Sequence, residues 1–299
     1  MPVIVLGFYG ARDNTSRLLR DRDELVLDVV VERIAAHLDP VRVQVAFVVD
    51  AVRLGKLDVE DEAALRTALV SALAATPQTT GIAFVRSDLR VTRYNRLDYR
   101  IYDDVDVARI PNGRSHLDAA RSGAEPSWIG PVWSDPLDQR ILQFRAPLVG
   151  AGGEFRGVLV AAVSIMDLSR YLGEIEDDLG QTPFVLTGQE QVVAHPLLAS
   201  TAVSSRFGSA QPLPHISVFP DRYLASIWAR PLNALNASVP FRRSRGHWNW
   251  VPGGGYEAHT YLYRAMTGYG EMPWLVGFHY PGIETRRARW IVAGIGVGG

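Results

Sequence analysis

The sequence predicts an α+β fold in which one long N-terminal helix precedes two antiparallel-sheet subdomains. An apolar repeat with a spacing of three and four residues indicates the helix, and alternation with a period of two at 81–96 and 140–165 indicates paired strands. The same order of strands returns at 182–196 and 257–281. With 299 residues, of which 47% are hydrophobic, the chain can form two units that each have a core.

The first element is a helix from Asn14 to Leu54. The Asn-Thr-Ser run at 14–16 offers N-cap side chains, Gly55 offers a C-terminal stop, and Pro40 predicts a kink because it has no N–H. Two interpretations of its apolar stripe stay open, packing along its own domain alone or an additional homodimer seam. The stripe consists of Leu27, Val31, Ile34, Leu38, Val41, Val45, Val48 and Val52.

The first sheet unit follows this helix. A second helix is predicted over 59–75, then a hairpin over 81–96, and then an irregular stretch over 97–139. Two longer strands joined by a glycine-rich turn occupy 140–165, and a helix runs from Asp167 to Leu179.

The second sheet unit repeats this order. It begins with TPFVLTGQEQVVAHP (182–196), in which His195 is predicted to end a strand because Pro196 cannot continue the ladder. Residues 197–255 are predicted to be irregular apart from a short helix near Tyr223, and a hairpin over 257–281 completes the unit.

The two ends of the chain are apolar. Each piece is about half of the ~20 residues that cross a bilayer. One interpretation is a buried strand and a frayed tail; we favour stubs of two membrane helices, because Trp290 among three arginines suits an interfacial anchor. The predicted organisation is a stub at 1–12, the long helix at 13–55, sheet units at 56–179 and 180–284, and a second stub at 285–299.

Composition argues against several classes of function. The net charge of −1 gives no reason to expect a nucleic-acid partner. The absence of cysteine excludes disulfides, thiolate zinc sites and a cysteine nucleophile. The seven histidines have no recognisable metal spacing, and GAGGEFRG (150–157) is not a phosphate loop. We therefore expect neither a metal nor a cofactor.

Four segments resemble the sensor regions of bacterial membrane-bound adenylate/guanylate cyclases. They are LAATPQTTGIAFV (73–85), RAPLVGAGGEFRGVLVAAVSIMDLSRYL (145–172), TPFVLTGQEQVVAHP (182–196) and YGEMPWLVGFHY (269–280). The order of elements resembles the double Cache (dCache) extracytoplasmic sensor domains, which carry two PAS-like subdomains. This resemblance implies a ligand-sensing domain outside the bacterial inner membrane, with a cyclase in a longer parent protein. A histidine kinase, diguanylate cyclase or chemoreceptor output stays an alternative.

The chain departs from the amino-acid motif of double Cache sensors. That motif is an R-x-W-Y stretch followed by an Asp on the last strand of the membrane-distal unit. Around Trp128 the Arg position is Pro126 and the Tyr position is Ile129, and the Asp position is Ala162. Free amino acids would lack both of their charged anchors here.

The expected ligand site lies in the membrane-distal unit. Trp128, Trp133 and Asp135 fall in the stretch that the resemblance places over the open face of the sheet, and aromatic walls suit a small-molecule pocket. Arg93 and Arg145, in strands predicted to be neighbours, offer bidentate contacts to an anion. The alternative is that both tryptophans only fill the core.

Two functions of other classes stay open. A soluble enzyme would bring His195, His247 and Asp135 together in one cleft. A pure dimerisation or docking module would pack the aromatic loop tightly and leave no cavity.

Overall fold

The computed structural model describes residues 2–96, 101–106, 113–209, 212–228, 245–250 and 259–281. Within these ranges the α-helices are α1 (Pro2–Arg53), α2 (Glu62–Ala75), α3 (Gly113–Arg121), α4 (Ile165–Leu179), α5 (Thr201–Ser204) and α6 (Arg222–Ala225). The strands of the first unit are β1 (Thr79–Arg86), β2 (Arg90–Asn95), β3 (Ile101–Asp106), β4 (Ser127–Ser134), β5 (Gln139–Val149) and β6 (Phe155–Ser164). Those of the second unit are β7 (Thr182–Thr187), β8 (Gln191–Ala194), β9 (Arg245–Trp250), β10 (His259–Met266) and β11 (Trp274–Pro281).

The strands form two antiparallel sheets with one topology. Sheet A has the order β3-β2-β1-β6-β5-β4, and sheet B has the order β8-β7-β11-β10-β9. In both sheets the opening hairpin and the closing hairpin meet at the centre, through β1 with β6 and through β7 with β11. The predicted α+β fold, a long helix followed by two PAS-like sheet units, is confirmed.

The long helix packs along its own chain. Seven of the eight stripe residues are at most 4% exposed, and Val31 is partly buried. The helix runs through Pro40 without interruption, and it begins before the predicted Asn14. The stripe is therefore an intramolecular core, and any dimer seam on α1 must use another face.

Each sheet has one face toward α1 and one face away from it. A continuous core joins α1, α2 and α4 to the near faces of both sheets, with Phe84, Phe144 and Phe278 among its members. The far face of sheet B carries a second core closed by the loop segment 196–228, which includes Leu224. The far face of sheet A, by contrast, borders a cavity.

Two stretches predicted to be irregular contain regular elements. β3, α3 and β4 lie within 97–139, and β9 lies within 197–255. The strand β4 contains Pro131, and it is an edge strand whose pairing is irregular between Ile129 and Val132, a position that tolerates proline. The predicted stub at 285–299 lies outside the described residues. Among the described helices, none is long and apolar enough to cross a bilayer.

Candidate functional site

A cavity of about 530 Å³ lies on the far face of sheet A. Its floor is made of three rows of residues paired across the strands. The walls come from α3, from Trp133 near the end of β4, and from the connection between β4 and β5, which contributes Asp135 and Leu137. The rows are Gly81–Ala162–Gln143–Ile129, Arg93–Ala83–Val160–Arg145–Ser127 and Val91–Val85–Val158–Pro147.

The cavity exists because small residues occupy the centre of the floor. Gly81, Ala83 and Ala162 project little or nothing from the two central strands toward the far face. On the far face of sheet B, large side chains such as Phe184 and Tyr261 fill the corresponding space. Of the two far faces, only that of sheet A therefore leaves room for a small molecule among the described residues.

Strand alternation sets which side chains reach the cavity. On β5, Gln143, Arg145 and Pro147 line the cavity, whereas Phe144 and Ala146 belong to the core against the helices. The register between β1 and β6 is fixed partly by Gly157, which has φ +149°. A Cβ at that position would lie 2.1 Å from the carbonyl oxygen of Val85, so only glycine fits this close approach.

Arg145 is a part-buried cation of this floor. Its Nε and Nη2 donate to the same acceptor, Gln143 Oε1, at 2.9 and 2.5 Å. Its Nη1 is buried and has no hydrogen-bond partner among the described residues. Burial lowers the pKa of the Arg145 guanidinium, while Glu271 opposes this shift. The guanidinium therefore keeps unused donors at the cavity floor.

The structure brings four of the five expected site residues to the cavity. Arg93, Trp133, Asp135 and Arg145 line it. Trp128 does not, since it is 3% exposed on the other face of sheet A, where it packs against Phe144 and Tyr269. The edge strand β4 thus separates the two tryptophans that the sequence placed together.

The expected proximity of Arg93 and Arg145 is wrong. Arg93 lies on β2 and Arg145 on β5, with β1 and β6 between them. At ~4.8 Å per strand spacing, their Cα atoms are about 14 Å apart, so the two arginines flank the floor. Nothing in the sequence marked Gln143 as a site residue, because a glutamine on an alternating strand is common.

A second cluster of titratable groups lies in the second unit. His195 Nε2 and His279 Nε2 are 3.2 and 3.1 Å from the same oxygen, Asp221 Oδ2. The other oxygen, Oδ1, caps α6 by accepting the N–H groups of Tyr223 and Leu224 at 2.8 and 3.0 Å. This cluster, the His-Asp-His clasp (His195, Asp221 and His279), ties the far-side loop segment to sheet B.

The three clasp atoms lie close enough together to bind a metal ion. However, the tautomer of His195 differs from that of a metal ligand. The three ligand atoms lie within 4.8 Å of one another. However, His195 Nδ1 accepts the backbone N–H of Leu197 at 3.1 Å, so the ring proton is on Nε2. A metal-bound histidine instead donates from its other nitrogen. The tautomer of His195 therefore favours a carboxylate–imidazole clasp, in which His279 Nε2 is hydrogen-bonded to Asp221 and His195 Nε2 lies at ion-pair distance, over a metal site.

Burial and contacts shift the pKa values within the clasp. Burial lowers the pKa of His195, although Asp221 opposes this shift. Burial alone would raise the pKa of Asp221, but the contacts from His195 and His279 hold it well below its ordinary value. At neutral pH the clasp therefore has a carboxylate facing a neutral His195.

The outcome for His195 follows from these contacts. The prediction that it ends a strand is confirmed, since β8 stops at Ala194 and His195 caps a 3₁₀ turn that begins at Pro196. The enzyme alternative needed His195 and Asp135 in one cleft. They lie on different sheet units, with Asp135 at the cavity and His195 in the clasp. The side chain of His247 lies outside the described residues.

No known family model matches the sequence, and no curated protein sequence matches it. Solved structures do. An extracellular ligand-binding receptor from Desulfohalobium retbaense aligns with a TM-score of 0.59 and 9% identity over 87% of this chain. This chain spans only 40% of that receptor.

Two chemoreceptor domains align over almost their full lengths. The ligand-binding domain of Pseudomonas fluorescens CtaA, solved with L-leucine, gives a TM-score of 0.55 at 16% identity, covering 92% of this chain and 98% of that domain. The sensory domain of Campylobacter jejuni Tlp3 gives 0.58 at 10% identity, covering 90% and 96%. The chain therefore has the fold of bacterial extracellular sensor domains, as its resemblance to double Cache domains predicts.

Proposed function

We propose that this chain is the ligand-sensing domain of a bacterial transmembrane receptor, situated outside the inner membrane. The observation that carries the proposal is the cavity of about 530 Å³ beside Arg145, on a fold shared with extracellular sensor domains. Its volume falls within the range of small-molecule pockets, ~300–1,000 Å³. We propose Arg93, Trp133, Asp135 and Arg145 as its ligand-binding residues.

The signal would pass from the cavity to α1 through sheet A. On β5, Arg145 lines the cavity, and its neighbours Phe144 and Ala146 belong to the core that includes α1. A ligand that displaces β5 would alter the packing of α1. The ligand can shift the equilibrium between two arrangements of this helix only by the difference in its affinity for them.

The output and the membrane attachment are finer parts of the proposal. The resemblance of four segments to sensor regions of adenylate/guanylate cyclases supports a cytoplasmic cyclase in the parent protein. The apolar segments 1–12 and 285–299 support flanking membrane helices. In the parent protein, alkaline phosphatase fused after Pro281 should be active, and alkaline phosphatase fused beyond the second membrane helix should be inactive; the reverse pattern would contradict a sensor outside the membrane.

The parent receptor would act as a homodimer through α1. The buried stripe of α1 faces its own domain, but a separate apolar row on the same helix is exposed. Its members Leu18, Leu25, Val29, Val43 and Phe47 are 37–69% exposed. Their spacings of 7, 4, 14 and 4 residues place them on one face of the helix, opposite the buried stripe.

The test of the sensing function is ligand binding that depends on the cavity. The chain would be screened by thermal shift against organic acids, amines, sugars, nucleotides and amino acids. We expect at least one class to stabilise the wild type and to lose this effect in Ala83→Phe, which fills the floor. If no compound stabilises the wild type, or if Ala83→Phe retains the effect, the cavity is not a sensing site.

A further inference from the structure

The chemistry of the cavity specifies its ligand more closely than the fold does. Among the described residues, no carboxylate forms an ion pair with Arg145, and Glu271 acts on it only at longer range. A part-buried cation with a buried, unpartnered Nη1 and no counter-charge is unfavourable, and a fold tolerates it when something else completes the pair. The incomplete partner set of Arg145 therefore points to an anion.

The donors around Arg145 are arranged for an oxyanion. Gln143 Oε1 accepts from Nε and Nη2 of Arg145, and the amide nitrogen of Gln143 and the unpartnered Nη1 are the further donors of this pair. Ser127, paired with Arg145 across β4 and β5, also lines the cavity. Three donors of this kind can share the oxygens of one carboxylate.

Apart from Arg93 at the opposite flank, the rest of the floor is apolar. Ala83, Val160 and Ala162 form its centre, and Val85 and Val158 form the next row. The described wall carries carboxylates only at Glu125 and Asp135, and both residues are exposed. A protonated amine placed deep in this cavity would find no buried partner, and its desolvation would be uncompensated.

We propose that the cavity binds an organic monoanion with an apolar body and no protonated amine, its carboxylate or equivalent oxyanion held by Arg145 and Gln143. The proposal rests on the sensing function and specifies its ligand class. It separates this chain from sensors that bind free amino acids, since the ammonium group has no buried counter-charge.

The test compares matched probes that differ only in their charged group. Isothermal titration of the 299-residue chain would use hexanoate, hexylamine, 1-hexanol and norleucine, and then 3-phenylpropanoate, 3-phenylpropylamine and phenylalanine. We expect the two carboxylates to bind at least tenfold more tightly than every other member of their series. Amino acids that bind as well as the carboxylates would overturn the proposal.

Substitutions of Arg145 supply the second part of the test. Arg145→Gln should weaken carboxylate binding roughly 10- to 100-fold, the range for a hydrogen bond to a charged group. It should also raise the melting temperature of the ligand-free chain, because a part-buried charge without a counter-charge is removed. Arg170→Gln, an exposed change on α4, is the matched control. Unchanged carboxylate affinity in Arg145→Gln contradicts the proposal.

The outcomes separate ligand class from function. If norleucine binds and Ala83→Phe abolishes its binding, the sensing function stands and the anion proposal fails. If every carboxylate that binds does so equally in Ala83→Phe, both fail. If neither series binds the wild type, the anion proposal fails, and the wider screen alone decides the function.

Discussion

The hydroxyl of Tyr269 donates a hydrogen bond of 2.9 Å to Asp39 of α1. Tyr269 lies in the turn between β10 and β11, so the tip of the last hairpin of sheet B reaches the long helix. The Tyr269 ring also lies 6.3 Å from the ring of Trp128, on the edge strand of sheet A. This residue therefore joins the two sheet units and α1 at one point.

Tyr269→Phe should weaken this junction without affecting the cavity. Burial and the neighbouring Asp39 raise the pKa of Tyr269 to about 12, so its hydroxyl stays protonated and donates at neutral pH. Loss of the bond should lower the free energy of unfolding by about 1–2 kcal/mol, measured by urea denaturation. Ligand affinity should stay within twofold of the wild type, since Tyr269 does not line the cavity.

A double-mutant cycle with Asp39→Asn controls this prediction. If the hydroxyl acts through Asp39, the two changes together should cost less than the sum of the single changes. Additive costs would mean that Tyr269 contributes only through its ring contacts.

The sequence was sufficient to predict the helices and strands that bury one side. The stripe of α1 and the alternation of β5 both follow from one apolar face, and this signal lies within each segment. Of the four edge strands, β8 was predicted, whereas β3, β4 and β9 were missed because an edge carries no such constraint, as Pro131 in β4 illustrates. Sequence periodicity therefore located the central hairpins and left most of the sheet edges undetermined.

The site was less predictable, because it depends on pairing between distant segments. Arg93 and Arg145 were chosen correctly as residues that line the cavity, but their separation follows from the strand order, which local patterns do not contain. The clasp joins His195, Asp221 and His279 across 26 and 58 residues of sequence. Only the packing of the far-side loop on sheet B brings these three together.

Substitutions at two adjacent alanines should separate the faces of β6. Ala162 faces the cavity, and Ala161 is 1% exposed in the core against the helices. Ala162→Leu should fill the cavity and abolish ligand binding with little loss of stability. Ala161→Leu should overpack the core and lower the free energy of unfolding by about 1–3 kcal/mol. Equal destabilisation by both, measured by urea unfolding, would contradict the face assignment.

Acidification should weaken the second unit through His195. Its pKa is lowered from 6.5 by burial, so below pH 6.5 the unfolded chain takes up a proton that the folded chain resists. The stability that this residue contributes is therefore complete above pH 6.5 and is lost as the pH falls. Between pH 7.5 and 5.5 the loss should be about 1 kcal/mol for this one group.

The measurement for His195 is urea unfolding at several pH values for the wild type and His195→Asn. Asparagine can still accept the N–H of Leu197 but does not titrate in this range. The variant should lose about 1 kcal/mol less than the wild type between pH 7.5 and 5.5. An identical pH dependence for the two proteins would show that His195 is not the titrating group.

Asp221→Asn should remove the negative charge of the clasp and keep the helix cap. Asparagine caps helices about as well as aspartate, so the bonds to Tyr223 and Leu224 can persist. The free energy of unfolding at pH 7 should nevertheless fall by about 1–3 kcal/mol, because the two imidazoles lose their shared charged acceptor. Asp221→Ala, which removes the cap as well, should cost more; equal costs would assign the whole effect to the cap.

The exposed row on α1 should hold two copies of the chain together. These 299 residues contain no cysteine, so within them Phe47→Cys introduces a single thiol that can form a disulfide with its copy in another subunit. In the membrane-bound receptor we expect this variant to form a covalent dimer under mild oxidation, detected by non-reducing electrophoresis. Ser71→Cys, exposed on α2, is the matched control and should stay monomeric under the same conditions. Efficient cross-linking through Ser71→Cys but not Phe47→Cys would place the interface on another surface.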